Sequence, residues 1–584
     1  LHRFLVRLAY FAFWSFFRTV RVINEHNLPQ SGAVIVASTH HNSALDPTTL
    51  STTYPSNRWF HYWAKSGLFA NPALRWLMLN AGNIPVERGN KDKRKLFQGT
   101  FDVLEKGDAV AVFPEGTSYT EPSIQQVKDG VAWCALEYTA MVRDAKAVDA
   151  GKAYSPVVIV PASVVYTNKS KYRSAVILQF GKPITMDEYI DAYTSPSEGA
   201  GRAVTKELTH RIERMMIQMS INAPDWETLN AARMAREILW VDERSIPLEE
   251  FTAISQTLVD LFTPPYPNAQ TESVKARLLT YYALLQESSL THDVLSSLPL
   301  PRTLDPRRPT PLPSRLSTLA LLVRDSIASA IRLPFFFLPL VVHIPVYALG
   351  KYVQGMIVDE EEIAQGKVFL GLFLLVCTYS SLFLGLWIFL WLSPVGALIA
   401  AAVTWAFAVY HVQLVDDNYA SMKRLVAAWR VLLGVWAPQS WDVALNSLQL
   451  SARPDKPENQ YLKKKKPASP PASPSPSPKP FKRKKKLPSR RLIRHVLRHR
   501  VLACQALFRF LEDVKRADGR VSASPHLARV YGHADSEEEF VQEPNGWRSG
   551  KEVVWFLRSR GAGVGLAQGE DEWGDGGFGS EVEE

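Results

Sequence analysis

The stretch AVIVASTHHNSALDP, residues 33–47, joins a short apolar segment to a polar turn that ends in Asp46 and Pro47. Its first five residues are small or β-branched, which is typical of a buried β-strand. Pro47 suits the first turn of a helix. In one interpretation, Asp46 is simply the N-cap of that helix and has no catalytic role. The alternative is catalytic: Asp46 folds back onto the ring of His41, and the pair takes the proton from an alcohol. Both interpretations stay open on this stretch alone.

Outward from this stretch, apolar segments alternate with longer stretches that can form helices. Residues 109–113 and 157–165 resemble residues 33–37 in composition, and enough chain for helices lies between all three. This alternation is typical of an α/β domain. We therefore predict a mixed sheet with flanking helices over residues 29–215.

Three further motifs could contribute to a site. Arg88 ends the motif GNIPVER and can present its planar guanidinium to a phosphate, although it could equally be a solvated loop cation. Glu115 and Gly116 follow the second apolar segment, and the carboxyl ends of strands are where open α/β sheets bind ligands. Pro161 lies inside the third segment, which by itself is more typical of core than of a site.

The charge pattern predicts a membrane protein. Residues 368–415 are 48 consecutive positions without Asp, Glu, Lys or Arg, whereas one bilayer-spanning helix needs about 20. We predict a helical hairpin with spans at 368–392 and 396–412, broken at Ser393-Pro394. Residues 333–350 are also uncharged, but three prolines interrupt them. There we predict a re-entrant segment that enters and leaves on one face, with a third span as the alternative.

The formal net charge of +10 comes from a single segment. Residues 461–500 carry 15 Lys or Arg and no acid, so the rest of the chain has a net charge of −5. The Pro and Ser content of this segment predicts disorder. Lysine clusters can bind nucleic acid. Beside a membrane hairpin, anionic lipid is the favoured partner, at about 1 kcal/mol per basic residue. We expect membrane lipids as partners and no nucleic acid.

Composition also predicts how the chain is divided. Aromatic and arginine residues crowd the first 28 positions, which favours the bilayer interface, and six prolines lie within residues 298–315, which is typical of a linker. The predicted parts are 1–28, an interfacial or membrane-anchoring helix; 29–215, the α/β domain; 216–297, a helical extension; 298–332, a proline-rich linker; 333–415, the transmembrane region; 416–460, a cytosolic helical segment; 461–500, the basic disordered segment; and 501–584, a charged, largely disordered tail.

The three cysteines, Cys134, Cys377 and Cys504, are far apart in the chain. Their spacing offers neither a disulfide framework nor a set of metal ligands, so we predict no metal site. Cys134 is a poor candidate nucleophile because it lies in a helical apolar pattern with no histidine beside it.

The order of four motifs resembles the glycerolipid acyltransferase family. These are HxxxxD from His41 to Asp46, GxIPVxR ending at Arg88, FPEGxS around Glu115 and an apolar VPxxxxY segment that contains Pro161. The segment APDWETL at 223–229, the later membrane block and the basic tail are similar to fungal glycerol-3-phosphate and dihydroxyacetone-phosphate acyltransferases of that family. The resemblance covers residues 20–240 strongly and the rest loosely, and it implies an α/β acyltransferase domain.

The resemblance also implies a role for each matched residue. His41 would be the general base and Asp46 its partner; Arg88 would bind the phosphate of the acyl acceptor; Glu115 and Gly116 would shape the acceptor site; and Pro161 would lie near the acyl-donor tunnel. One departure is the pair His40-His41, where the family motif often begins Asn-His. Fungal members commonly have an extra residue before the aspartate, a register that fits His40. His40 is therefore the reserve catalytic residue.

These expectations describe a membrane-bound O-acyltransferase. It would move a fatty acyl group from acyl-CoA to the sn-1 hydroxyl of glycerol 3-phosphate, or of dihydroxyacetone phosphate, and so make lysophosphatidate in the first step of glycerolipid synthesis. Acyl-CoA is a co-substrate, and no cofactor is expected. The alternatives are a 1-acylglycerol-3-phosphate acyltransferase, because the phosphate is shared, and a non-enzymatic membrane scaffold. We expect a multi-pass protein of the endoplasmic reticulum with its active site facing the cytosol.

Overall fold

A computed structural model describes residues 2–54, 58–86, 93–148, 156–240, 242–263, 269–298, 313–356, 360–442, 488–517, 519–532 and 546–563. Within these ranges the chain forms two compact units. The first unit contains residues up to 221 together with 344–381, and the second contains 222–343, 382–442 and 488–563.

The first unit is built on an eight-stranded sheet. Its strands are β1 (Thr19–Ile23), β2 (Val34–Ser38), β3 (Phe60–Lys65), β4 (Asn83–Val86), β5 (Ala109–Val112), β6 (Val158–Tyr166), β7 (Ala175–Phe180) and β8 (Ile184–Thr185). The order is β1-β7-β6-β2-β5-β3-β4, and β8 pairs with β6. Strand β6 is antiparallel to β7 and β8, and the other pairs are parallel. The predicted mixed sheet is confirmed, and the three predicted strands agree with β2, β5 and β6 to within one residue.

Helices cover both faces of this sheet, which explains why its central strands are apolar throughout. They are α1 (His2–Phe16), α2 (Leu45–Thr53), α4 (Lys93–Glu105), α5 (Gly130–Val148), α6 (Asp187–Tyr193) and α7 (Ala200–Gln218). Helix α3 (Pro72–Asn80) has no buried residue. One core lies between the sheet and α4 to α7. The other lies between the sheet and α1, α2 and the first turns of a later helix, α13 (Glu360–Phe389).

The N-terminal helix is shorter than predicted and is partly a core element. A helix over residues 1–28 is wrong, because α1 ends at Phe16 and residues 19–23 form the edge strand β1. The sequence TVRVI is rich in β-branched residues, which favour a strand. Phe13 is buried in the second core, whereas Phe4 and Phe11 are exposed. Only one face of the helix is therefore left for a bilayer interface.

The second unit begins with the helical extension expected over residues 216–297. It contains α8 (Trp226–Leu239), α9 (Phe251–Leu261), α10 (Ala269–Ser288) and α11 (His292–Ser296). The carboxylate of Asp225 caps α8 by accepting a hydrogen bond from the Thr228 amide at 2.7 Å, which is the usual role of an aspartate just before a helix.

The prediction that residues 501–584 are largely disordered is wrong for the described part of that segment. This part forms α15 (Ile493–Ala517), α16 (Pro525–Tyr531) and α17 (Gly550–Ser559), with the antiparallel strands β9 (Arg520–Ala523) and β10 (Gly546–Ser549). Helix α15 also begins inside the segment 461–500, where disorder was predicted; residues 461–487 lie outside the described residues. Leu507 and Leu511 of α15 are fully buried. Helix α15 packs on α10, and the Ser524 amide after α15 donates to Asp260 of α9. Because α9 and α10 are distant in sequence, the charged composition of the tail conceals this packing.

Among the residues that the structure describes, three helices are long and apolar enough to cross a membrane: α12 (Arg315–Met356), α13 and α14 (Pro394–Trp436). Their candidate spans are Arg315–Gly350, Glu362–Phe389 and Pro394–Val415. The hairpin predicted at 368–412 corresponds to α13 and α14. The predicted cytosolic helical segment at 416–460 starts within α14, which continues unbroken from its span to Trp436, and residues 443–460 lie outside the described residues.

The re-entrant segment predicted at 333–350 is wrong, because α12 is one continuous helix through all three prolines. A proline removes one amide and leaves the carbonyl four residues earlier without its helical partner. Opposite Pro339 that carbonyl belongs to Phe335, and the Tyr410 hydroxyl of α14 donates to it at 2.8 Å. A neighbouring helix can satisfy such freed groups. The linker expected to reach residue 332 is also too long, since α12 begins at Arg315; residues 299–312 lie outside the described residues.

Candidate active site

The carboxyl ends of three neighbouring strands meet at one edge of the sheet. Strand β2 pairs in parallel with both β5 and β6, so the residues that follow these strands lie side by side. His40 follows β2, Glu115 follows β5 and Tyr166 ends β6. This edge therefore brings together an imidazole, a carboxylate and a phenol.

Asp46 lies at the centre of this cluster and is fully buried. Its Oδ2 accepts hydrogen bonds from the Asn42 amide at 2.7 Å and from the His40 ring, through Nδ1, at 2.9 Å. Its Oδ1 accepts a hydrogen bond from the Tyr166 hydroxyl at 2.6 Å. Helix α2 begins at Leu45 with Ala44 at the N-cap, so Asp46 lies inside the first turn and is not the N-cap.

The predicted pairing of His41 with Asp46 is wrong, because the carboxylate pairs with His40. Successive side chains of an extended chain point in opposite directions, so only one of two adjacent histidines can face the same carboxylate. The His41 ring instead meets the Tyr119 ring edge to face, with centroids 5.2 Å apart. Burial lowers the pKa of His41 to about 4, and nearby Lys169 and His40 act in the same direction against the attraction of Asp46.

His40 is held on three sides. Its ring stacks on Phe113 with centroids 4.1 Å apart, its amide donates to Glu115 Oε1 at 2.9 Å, and its carbonyl accepts from the Tyr119 amide at 3.3 Å. With Nδ1 bonded to Asp46, the other ring nitrogen, Nε2, makes no hydrogen bond to any residue that the structure describes. This arrangement leaves Nε2 available to take a proton.

Glu115 supports the backbone of the His40 turn. Its second oxygen accepts from the Gln125 amide at 3.4 Å, and burial raises the pKa of its carboxyl group well above the usual value. Gly116 closes the turn, with its amide bonded to the Phe113 carbonyl at 3.0 Å and a φ of 82°. A side chain at that position would be strained and would meet the Lys128 ammonium group.

The remaining predicted site residues are Pro161 and Arg88. Pro161 lies within β6, in register with Ala37 of β2, and its carbonyl accepts from the Gly181 amide; its predicted role near an acyl-donor tunnel stays a prediction. Arg88 lies outside the described residues, so its phosphate-binding role also stays a prediction. Burial raises the pKa of the Cys134 thiol, which disfavours a reactive thiolate. Among the described residues, no group of three or more His, Cys, Asp or Glu could hold a metal ion.

Sequence reasoning missed two residues that contact this cluster. Tyr166 could have been found, because it ends the strand that neighbours β2 and is the final residue of the VPxxxxY motif. Burial and the adjacent Asp46 raise its pKa well above the usual value, so it remains a neutral donor. Gln365 accepts a hydrogen bond from the Ala44 amide at 3.0 Å from a position 321 residues further along the chain. No local signal in the sequence predicts that contact.

Known proteins resemble the part of the chain that carries this site. Residues 19–165 match the family model described as Acyltransferase. The chain is 25% identical over 350 residues to glycerol-3-phosphate O-acyltransferase 2 of Saccharomyces cerevisiae, covering 57% of this chain and 44% of the yeast protein. It is 29% identical over 131 residues to a chloroplastic 1-acyl-sn-glycerol-3-phosphate acyltransferase of Arabidopsis thaliana, covering 22% of this chain and 36% of the plant protein.

These alignments span less than half the length of each relative. Among solved structures, the 1-acyl-sn-glycerophosphate acyltransferase PlsC of Thermotoga maritima aligns at 19% identity over 36% of this chain and 78% of that protein. Its TM-score of 0.26 is too low to transfer structural detail. The comparisons thus support an acyltransferase domain over residues 19–165, the part of the chain that matches the Acyltransferase family model.

Proposed function

We propose that this protein is a membrane-bound O-acyltransferase that transfers a fatty acyl group from acyl-CoA to the sn-1 hydroxyl of glycerol 3-phosphate. The observation that carries the proposal is the pairing of His40 with the buried carboxylate of Asp46 at the carboxyl edge of the sheet. A histidine held in this way is suited to remove the proton of an alcohol. His40, the reserve candidate, takes the role first given to His41.

The reaction follows from this pair. His40 Nε2 takes the proton of the acceptor hydroxyl as the oxygen attacks the thioester carbonyl of acyl-CoA. Asp46 stabilises the imidazolium, and the Tyr166 hydroxyl and the Asn42 amide keep the carboxylate in position. The C–S bond then breaks, and the imidazolium returns the proton to the leaving thiolate. Acyl-CoA supplies the acyl group, and no cofactor takes part.

Glycerol 3-phosphate is the favoured acceptor because a relative that matches 57% of this chain is a glycerol-3-phosphate O-acyltransferase by name. A second yeast protein of that name is 23% identical over 223 residues. The competing function is acylation of 1-acylglycerol 3-phosphate, which is favoured by the three plant and algal matches of 28% to 30% identity. Dihydroxyacetone phosphate shares the phosphate and is a third acceptor to compare.

The test of the acceptor uses membranes that contain the protein and one labelled acyl-CoA. Each candidate acceptor is added in turn, and the rate of labelled product is measured. We expect transfer to glycerol 3-phosphate to exceed transfer to 1-acylglycerol 3-phosphate, and transfer to fall by at least about 10²-fold in His40→Ala membranes. Faster acylation of 1-acylglycerol 3-phosphate would replace the proposed acceptor.

Arg88→Lys should raise KM for the phosphorylated acceptor far more than KM for acyl-CoA, because lysine cannot supply a paired guanidinium fork. Equal rises in both KM values would remove Arg88 from the phosphate site.

The membrane topology is part of the proposal. Residues on either side of the three apolar helices pack into the same unit: Trp240 donates to the Arg560 carbonyl at 3.0 Å, and Asp260 accepts from the Ser524 amide at 2.7 Å. These contacts support the placement of both flanking segments on one side of the membrane, and therefore an even number of crossings. In the first unit, Ala364 at the start of α13 is buried in the sheet core. We therefore assign the two crossings to α13 and α14.

Labelling of single cysteines in sealed microsomes tests this topology. After Cys134, Cys377 and Cys504 are replaced, an impermeant thiol reagent should label Glu198→Cys and Lys551→Cys from the cytosolic side. Trp391, in the turn between α13 and α14, is 92% exposed, and Trp391→Cys should react only after the membrane is permeabilised. Protection of Lys551→Cys while Glu198→Cys is labelled would show an odd number of crossings.

A further inference from the structure

The start of the membrane helix α13 is part of the acyltransferase unit. Ala364 is fully buried and Val368 is 5% exposed, and both belong to the core cluster that contains Leu45 of α2 and Val34 of β2. The candidate span begins at Glu362. The first turns of this span therefore pack directly behind the strand and helix that carry His40 and Asp46.

One polar side chain of this buried surface reaches the His40–Asp46 turn. Gln365 Oε1 accepts a hydrogen bond from the Ala44 amide at 3.0 Å. Ala44 is the N-cap of α2, and the amide of an N-cap residue has no partner within the helix. Gln365 supplies an acceptor for this amide from another part of the chain.

A second contact from the same helix holds the loop that faces this turn. Lys367 Nζ donates to the Ser170 carbonyl at 2.8 Å. The neighbouring Lys169 carbonyl accepts from the Asn42 side chain at 3.2 Å, and Lys169 Nζ donates to the His41 carbonyl at 3.4 Å. The start of α13 is thus joined to both sides of the segment from residue 41 to residue 44.

That segment needs support because its backbone is strained. Ser43 has a φ of 38°, in the left-handed region that residues other than glycine rarely adopt. On one side of Ser43, the Asn42 amide donates to the Asp46 carboxylate. On the other side, Asp46 lies in the first turn of α2. A shift of the Ala44 amide would therefore move Asp46 relative to His40.

We propose that Gln365 is a positioning residue, through which the membrane helix α13 fixes the turn that pairs Asp46 with His40. This inference rests on the proposed acyltransferase function. It makes turnover depend on a residue outside residues 19–165. It also predicts that the acceptor oxygen at position 365, rather than packing alone, sustains catalysis.

Three variants compared in the same membranes test the inference. Gln365→Leu keeps the size of the side chain and removes the acceptor, whereas Gln365→Glu keeps an acceptor oxygen. Phe369→Leu, one helical turn further along at a side chain that is 52% exposed, is the matched control. We expect Gln365→Leu to lower kcat roughly 10- to 100-fold, the scale on which displaced catalytic groups act, with KM for acyl-CoA nearly unchanged. Gln365→Glu and Phe369→Leu should retain most of the turnover.

Melting temperatures in detergent separate positioning from folding. We expect Gln365→Leu and Gln365→Glu to melt close to the wild type. Equal loss of kcat in both variants with a lowered melting temperature would indicate packing and overturn the inference. Full turnover in Gln365→Leu, measured beside an active wild type, would overturn the role of Gln365 and leave the proposed function in place. A wild type that transfers no acyl group would overturn the proposed function and this inference with it.

Discussion

His40→Ala is expected to lower acyl transfer about 10²- to 10⁴-fold, the usual contribution of a general base, while the protein still accumulates in membranes. The reason is that His40 Nδ1 lies 2.9 Å from the buried Asp46 carboxylate, which fixes the ring and leaves Nε2 for the acceptor hydroxyl. The measurement is the initial rate with labelled acyl-CoA and glycerol 3-phosphate, normalised to the amount of protein in the membrane.

His41→Ala is the matched control, because it removes an imidazole one residue away from the same turn. His41 packs on Tyr119 and is held neutral by burial, which lowers its pKa to about 4. We expect this variant to lose much less activity than His40→Ala. Near-normal turnover in His40→Ala together with an inactive His41→Ala would restore the assignment made from the HxxxxD spacing.

Asp46→Asn is expected to lower the rate of acyl transfer about as much as His40→Ala does. The substitution keeps the size of the side chain and removes its charge. Replacing the carboxylate of a histidine–aspartate pair by an amide costs about 10⁴-fold in serine proteases, through the wrong histidine tautomer. Here three donors converge on the two carboxylate oxygens, from His40, Asn42 and Tyr166. An amide cannot accept from all of them without turning its NH₂ group towards a donor.

Tyr166→Phe is the comparison variant for Asp46→Asn. It removes one donor to Oδ1 and leaves the bond between His40 and Oδ2 in place. We expect kcat to fall less than in Asp46→Asn, with KM for both substrates little changed. Asp46→Asn membranes that retain half of the wild-type rate would show that the carboxylate is not part of the catalytic pair.

Local sequence was sufficient for the elements of the sheet that support the site. Strands β2, β5 and β6 were predicted to within one residue, because a strand covered on both faces must be continuously apolar. The polar turns after β2 and β5 were predicted as a shared site for a related reason. Parallel neighbours bring their carboxyl ends to the same edge, so Glu115 was expected at the same edge as His41 before any distance was known.

The choice between His40 and His41 was beyond local sequence. The spacing HxxxxD selects His41, yet the direction of each ring depends on where the backbone turns between β2 and α2. That turn is set by the left-handed Ser43 and by the hydrogen bond from the His40 amide to Glu115. Glu115 is 75 residues away in the chain, so the decision is made by a tertiary contact.

Sequence patterns by themselves determined that this chain has an apolar hairpin, a basic segment and an α/β domain, since periodicity and charge are local properties of the chain. Only the tertiary structure decided that His40 pairs with Asp46, that α12 continues through its prolines, that the tail after residue 488 folds onto α8 to α10, and that Gln365 accepts from the Ala44 amide at the start of α2. Each of these depends on a partner more than 70 residues away, because a freed carbonyl, an apolar face or an unpaired amide is stabilised by whichever group the fold brings to it.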